Sequence, residues 1–341
     1  MKKFLLKESC SEFKSNHQFN GIDLVKFICI LLICTIHINP ITITPLEFNI
    51  KNFFIQNGIC RIAVPFYFIA SGFLLFRKMD INNLNEKRIK DYCFKILRLM
   101  GTWTFLLFVG GSGQLWYFGA LVLAVIILSF LIKKGISLKV IFLLSFLAFT
   151  IGIFGTSYYG FLEPLKKYSI SRLIIVGYDT IFVTTRNGIF FGLIFVLIGL
   201  LFAKKQIHLN KYVAIIGLII SIFLMYIEIY FLKFHSHPKK FDMYISLLPA
   251  SFFLFYIASH INLKDRPIYS ELRIIGIFIF FIHLFIHYFV ELFTRILYNR
   301  NIVDITNLQY IITMIITVIL AIFIEKLSKK EKFSWLKYLY S

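Results

Sequence analysis

The sequence predicts an all-α membrane protein, a polytopic bundle of about ten transmembrane helices with both termini cytoplasmic. Three observations carry this. The 341 residues are 59% hydrophobic, with 41 Phe and a mean hydropathy of +0.80, too apolar for an ordinary soluble globule. Apolar runs of ~20 residues, the length that crosses a bilayer as a helix, recur along the chain. Lys and Arg gather in the short segments between those runs, and with a cytoplasmic N-terminus about 26 of the 37 fall on the inside. A formal net charge of +20 would suggest a nucleic-acid partner for a soluble protein, but here topology explains it and no nucleic acid is expected.

The first run, 22–40, carries Asp23 and Lys26 at one end and His37 near the other. It lacks a small-residue cleavage signature, so it reads as a retained span and not as a signal peptide. Further spans are expected at 58–76, 96–112, 114–132, 138–157, 187–203, 211–232, 243–260, 274–292 and 308–325. The third is the shortest, broken by Gly110, Gly111 and Gly113. External segments are short except 158–186, which has room for a re-entrant or interfacial helix around 170–183. The five Cys (10, 29, 34, 60 and 93) have neither metal-ligand nor disulfide-framework spacing and read as free thiols acting as small hydrophobes. The whole chain, 1–341, is read as one membrane domain with no soluble domain, so its chemistry belongs in or at the bilayer.

Ionisable groups are costly in hydrocarbon and are functional candidates there. Lys26 and His37 stand eleven residues apart, about three turns, so they share one face roughly 16 Å apart along the axis. Toward the cytoplasm lie Asp23, Lys26, Arg77, Lys78, Lys87, Arg88, Lys95 and Arg98, a basic mouth suited to phosphates. Toward the outside lie His37, Arg61, Trp116, Tyr117, Arg186, Glu228, His287 and Glu291, with His283 mid-span. Several have plainer readings. Lys26, Arg77 and Lys78 suit positive-inside anchors, Trp116 and Tyr117 an aromatic belt, Ser71 a small contact residue, and Glu228 and Glu291 hydrated interfacial acids. His37 and Arg61, expected at similar depth, resist such readings because an arginine there needs a partner or a ligand. No metal site is expected: no HExxH-like spacing occurs, and His235 and His237 fall on an outer loop.

DLVKFICILLICTIH (23–37) resembles the first-helix signature of the acyltransferase-3 family of integral-membrane acyltransferases, in which an acid, a base three residues on and a histidine eleven beyond that recur. RIAVPFYFIASGFLLFRK (61–78) is similar to the family's second-helix pattern, KILR (95–98) to its cytoplasmic Arg-x-x-Arg with Lys95 in place of the first Arg, and QLWYFGALVL (114–123) to its Leu-Trp helix opening. FFIHLFI (280–286) resembles its late histidine segment, with Leu284 where proline is usual. RNGIFFGLIFVLIG (186–199) is similar to the membrane half of the membrane-bound serine/alanine racemases. Neither the racemase half nor the esterase-like extension of some members is expected.

The resemblance implies an enzyme that takes an acyl group from cytoplasmic acyl-CoA, most simply acetyl-CoA, and passes it to a hydroxyl of a surface polysaccharide or lipid-linked glycan. No cofactor is expected to be resident. Asp23, Lys26, Lys95 and Arg98 would hold the donor; His37 would act as base or carry the acyl group in passing; and Arg61 would stabilise the oxyanion. Trp116, Tyr117, Arg186 and His283 would serve the acceptor or the oxyanion. Acyl-CoA, the glycan acceptor and membrane lipids are the expected partners, in a bacterial plasma membrane. The alternative is a transporter of a small polar solute such as an amino acid, which a polar seam across spans would also suit.

Overall fold

The computed structural model describes residues 19–38, 50–107, 113–182, 184–205, 207–298 and 306–340. Its elements, in order, are α1 (Asn20–Ile38), α2 (Ile50–Asn57), α3 (Ala63–Phe76), α4 (Glu86–Leu106), α5 (Trp116–Lys133), α6 (Leu138–Phe154), α7 (Ser169–Ile181), α8 (Leu193–Lys204), α9 (Lys211–His235), α10 (Leu247–His260), α11 (Pro267–Tyr298) and α12 (Thr306–Ser328). No strand occurs among the described residues. This all-helical architecture follows from a medium without water, where a helix satisfies its own backbone groups.

Every expected span coincides with a helix, but their lengths divide them. Six helical stretches are long and apolar enough to cross a membrane: Asn20–Ile38, Phe53–Phe76, Gly113–Lys133, Lys211–His235, Pro267–Thr294 and Leu308–Ser328. α6 reaches that standard only together with a turn at Tyr159–Lys167, across a 78° bend. Gly188–Lys204 and Leu247–His260 are apolar but shorter. The expected third span is corrected: α4 starts at Glu86, ten residues before the expected 96, because Asn85 caps it by accepting from the Arg88 N–H at 3.0 Å. Residues 86–98 of it include Glu86, Lys87, Arg88, Lys90, Asp91, Lys95 and Arg98, so it is amphipathic and does not qualify as a span. Residues 39–40 and 108–112 of the expected spans, and Cys10, lie outside the described residues. Cys29, Cys34, Cys60 and Cys93 are free and buried.

The core is built around α1, α3 and α8. α1 packs against α11 and α3, and α3 lies along α8. That last pairing is backbone to backbone: a Cβ on Gly72 would stand 2.3 Å from the Val196 carbonyl oxygen, and one on Gly199 would stand 2.1 Å from that of Ile69. Small residues at such contacts let helices gain dispersion contacts that lipid cannot supply. The contact residue of the Ser-Gly pair is therefore Gly72, which leaves Ser71 free to face elsewhere. α7 occupies the segment where an interfacial helix is expected. Ile170, Leu173, Ile174 and Ile181 are exposed along it, while Asp179 is tied to Lys239 at 2.6 Å and to the Tyr159 hydroxyl at 2.7 Å.

The α3–α8 contact yields a direct test. Gly199→Val should lower stability by about 3 kcal/mol, the upper range for overpacking, because the atom it meets is rigid backbone. Gly101→Ala, where a Cβ meets nothing within 4 Å, should be neutral or stabilising by up to about 1 kcal/mol. Thermal unfolding in detergent compares the two.

Candidate active site

The face of α1 that joins Lys26 to His37 lines a cavity of about 560 Å³. Five helices enclose it, each through one periodic stripe. α1 contributes Lys26, Phe27, Ile33 and His37; α3 contributes Val64, Tyr67, Ser71, Leu74 and Leu75. α4 contributes Arg88, Asp91, Tyr92, Lys95, Ile96 and Leu99, steps of three and four residues that keep one helix face inward. α5 with the turn before it brings Gln114, Trp116, Tyr117, Phe118 and Leu121, and α11 brings Arg273, Gly276, Phe280 and Phe281 among others. Tyr340, beyond α12, completes the wall.

Charge grades along this chamber. At one end stand Lys26, Arg88, Lys95 and Arg273 against Asp91, and Asp91, Lys95 and Arg273 are exposed, so this end is open and carries net positive charge. Burial, and then the charges of Arg98 and Arg273, lower the pKa of the Lys95 ammonium. Asp23 lies just behind this end, 3.7 Å from Arg273. Arg98 does not line the cavity and packs over the Tyr338 ring instead. Arg77 sits over the Phe19 ring at 4.7 Å.

The middle is a band of hydroxyls. Tyr67 donates to the Lys26 carbonyl at 2.8 Å, and the Ser71 and Tyr117 hydroxyls bond each other at 3.1 Å. Burial pushes the Tyr92 phenol up to about 12, so it remains a donor at neutral pH.

At the far end His37, half-buried, stands with its ring centre 5.5 Å from that of His283. His283 is fully buried, and its Nδ1 lies 3.0 Å from the Ile279 carbonyl, so Nδ1 carries the proton. Its Nε2, now an acceptor, has no partner. Trp116 is half-buried on the cavity wall. A basic opening, a conduit with polar side chains and a terminal imidazole suit a long anionic donor and a proton transfer at its tip.

Residues 19–109, spanning α1 to α4, match the family described as "Acyltransferase domain". The matched family is acyltransferase-3, over 91 of the 341 residues. Its matched segment contains Asp23, Lys26, His37, Arg61, Tyr67, Ser71, Lys95 and Arg98, most of the charge gradient just described. The chain is also similar to an "Amino-acid racemase" of Enterococcus faecalis, 29% identical over 74% of this chain and 37% of that protein, and to a "Serine/alanine racemase" of Enterococcus gallinarum, 28% identical over 69% and 36%. A second "Amino-acid racemase" of Enterococcus faecalis is 24% identical over 93% of this chain and 47% of its own length. The chain thus spans about half or less of these relatives. No solved structure matches it.

Arg61 acquires a partner outside the matched segment, Asp242, that the sequence did not reveal. Its Nη1 donates to Asp242 Oδ1 at 2.8 Å and its Nη2 to Asn57 Oδ1 at 2.9 Å. Arg186 shares Asp242 Oδ1 at 3.3 Å and lies over the Trp116 ring at 4.5 Å. Neither arginine lines the cavity, yet both are near enough for their charge to act on His37. Asn187 fixes the turn after Arg186 by accepting from the Ile189 and Phe190 N–H groups. Glu228 is not merely hydrated. It accepts from the Tyr158 hydroxyl at 2.6 Å, from the Ile245 and Ser246 N–H groups at 2.8 and 3.0 Å, and from the Ser246 hydroxyl, and so pins the loop that carries Asp242. His287 lies 3.5 Å from the Thr313 hydroxyl. His235 and His237 are exposed.

Arg88, expected in the basic mouth, does line the cavity, whereas Asp91, Arg273, Gln114 and Asp242 are the site groups that sequence reasoning passed over. For Asp91 the signal was present, four residues before Lys95 on its own helix face. For Asp242 it was a question of balance, since two arginines at one depth demand a carboxylate. Asp242→Ala should cost about 2 kcal/mol, because it strands two partly buried guanidinium groups. Asp242→Asn, which still accepts hydrogen bonds, should cost less. Detergent melting curves distinguish these from a bystander role, which would leave the midpoint unmoved.

Proposed function

We propose that this chain is a membrane O-acyltransferase, in the simplest form an O-acetyltransferase. It draws acetyl from cytoplasmic acetyl-CoA and delivers it to a hydroxyl of a surface polysaccharide or lipid-linked glycan. One observation carries the reading: the basic end and His37 belong to a single cavity. The acyltransferase-3 match supports acyl transfer in general. In this reading the basic end faces the cytoplasm, both termini lie there, about ten helices form one bacterial plasma-membrane domain, and CoA is a co-substrate.

The residues divide the work by charge. Lys26, Arg88, Lys95 and Arg273 hold the phosphates of the donor, with Arg98 at the rim and Asp23 holding Arg273 in place. The pantetheine arm follows the α1 face, a rise of roughly 16 Å between Lys26 and His37. Trp116 offers a flat apolar surface to a sugar ring, with Tyr117 behind it.

An imidazole nitrogen of His37 removes the acceptor's hydroxyl proton while the oxygen forms its bond to the thioester carbonyl carbon. The C–S bond then breaks, and the CoA thiolate departs with the proton that His37 held. Proton removal of this kind contributes ~10² to 10⁴ in rate. Arg61 and Arg186, held on one carboxylate with net charge +1, favour the oxyanion formed between these steps. Should His37 instead carry the acetyl group between donor and acceptor, the same residues serve and His283 orients the ring.

Membranes holding wild-type protein or His37→Ala, given radiolabelled acetyl-CoA in the presence of the host envelope, test this. Label in a glycan or lipid fraction should fall at least 100-fold in the variant while the protein still inserts. Undiminished label in His37→Ala overturns the reading, and solute uptake independent of acyl-CoA would establish a transporter instead.

A further inference from the structure

Gln114 opens the segment that leads into α5. The residue lines the cavity and is 1% exposed. Only half of its amide is in use. Nε2 donates to the Phe281 carbonyl at 3.3 Å, whereas Oε1 is buried and has no partner. The Phe281 bond sets the orientation, because turning the amide over would place two oxygens against each other. A buried acceptor left unsatisfied costs about 1–3 kcal/mol, so its presence in a cavity wall marks a place for a donor.

Neighbouring polar groups do not provide that donor. Among the described residues no donor, the hydroxyls of Tyr67, Ser71, Tyr92 and Tyr117 included, hydrogen-bonds to Oε1. The position along the chamber is also defined. Phe281 precedes His283 by two residues on α11, and the His283 ring stands 5.5 Å from His37. Gln114 is therefore bonded to the stretch of α11 that also carries His283.

We infer that Gln114 Oε1 accepts a hydrogen bond from the pantetheine amide N–H nearest the thioester, making Gln114 a donor-positioning residue. This rests on acyl-CoA being the donor. That N–H lies two methylenes from the sulfur, so a thioester presented to His37 places it slightly back toward the basic end, among apolar walls where it has shed its water. A desolvated amide N–H needs an acceptor, and an acceptor with no other partner waits there. The hydroxyl of the acyl acceptor is the poorer fit, since it gives its only proton to His37.

The test compares acetyl-CoA with an analogue in which an ester oxygen replaces that one N–H, using membranes with wild-type protein, Gln114→Met and Gln114→Asn. Met preserves bulk without polarity, and Asn keeps an amide but withdraws it by one methylene. Wild type should prefer acetyl-CoA by roughly three- to tenfold in kcat/KM, mostly through KM, the effect of one neutral hydrogen bond. Both variants should lose activity on acetyl-CoA by a similar factor and treat the two donors alike. Wild type that does not distinguish the donors overturns the inference, as does either variant that keeps the full preference. Those outcomes leave acyl transfer intact, whereas wild type that transfers from neither donor removes the acyl-CoA reading along with it.

Discussion

The constraint on which this fold depends is the absence of water from hydrocarbon. Each polar group carried into the bundle must find its partner inside the chain, or remain costly. Arg61 and Arg186 meet on Asp242, Glu228 gathers four donors, Asp23 stands near Arg273, and Gln309 donates to Thr294 at 2.6 Å. These pairings hold loops and helix ends in fixed positions where packing alone would leave them loose. The close α3–α8 contact through Gly72 and Gly199 answers the same constraint differently, by dispersion between backbones.

The cavity is one place where the rule is relaxed. Lys95 and Arg273 open outward with positive charge, His283 Nε2 and Gln114 Oε1 lack partners, and His37 is only half-buried. Groups kept from mutual neutralisation remain available to a ligand. The arrangement is ordered along one axis because a single face of α1 links both ends, so charge recognition and proton transfer stay separated by about three helical turns. The outer arginines add a fixed field beside that axis without entering it.

Local periodicity was readable in the sequence; pairing at long range was not. The eleven-residue interval from Lys26 to His37 is geometry that a helix imposes, and the cavity keeps both on one wall. Helices also appear where apolar runs suggested them. Their standing as spans was less legible, because a run of apolar residues does not reveal that α10 has only 14 helical residues or that α6 bends. α4 was misplaced since its charged first half hides a helix that begins at an asparagine cap. Arg61 and Asp242 are separated by 181 positions, and Gln114 reaches a carbonyl 167 positions away. No spacing rule connects such pairs. The serine of the Ser-Gly pair and its neighbour exchange roles for a related reason, as which of two adjacent residues meets another helix is decided by the helix it meets.

The central claim is that one passage carries the donor from the basic end to His37. Cryo-electron microscopy of the chain in lipid nanodiscs, with a thioether analogue of acetyl-CoA that cannot transfer its acyl group, examines it directly. The account predicts phosphates among Arg88, Lys95 and Arg273, the arm within the cavity, and the thioether sulfur beside His37. A nucleotide ordered at the basic end with its arm outside the cavity, or density that reaches His37 only from the opposite end, would contradict it.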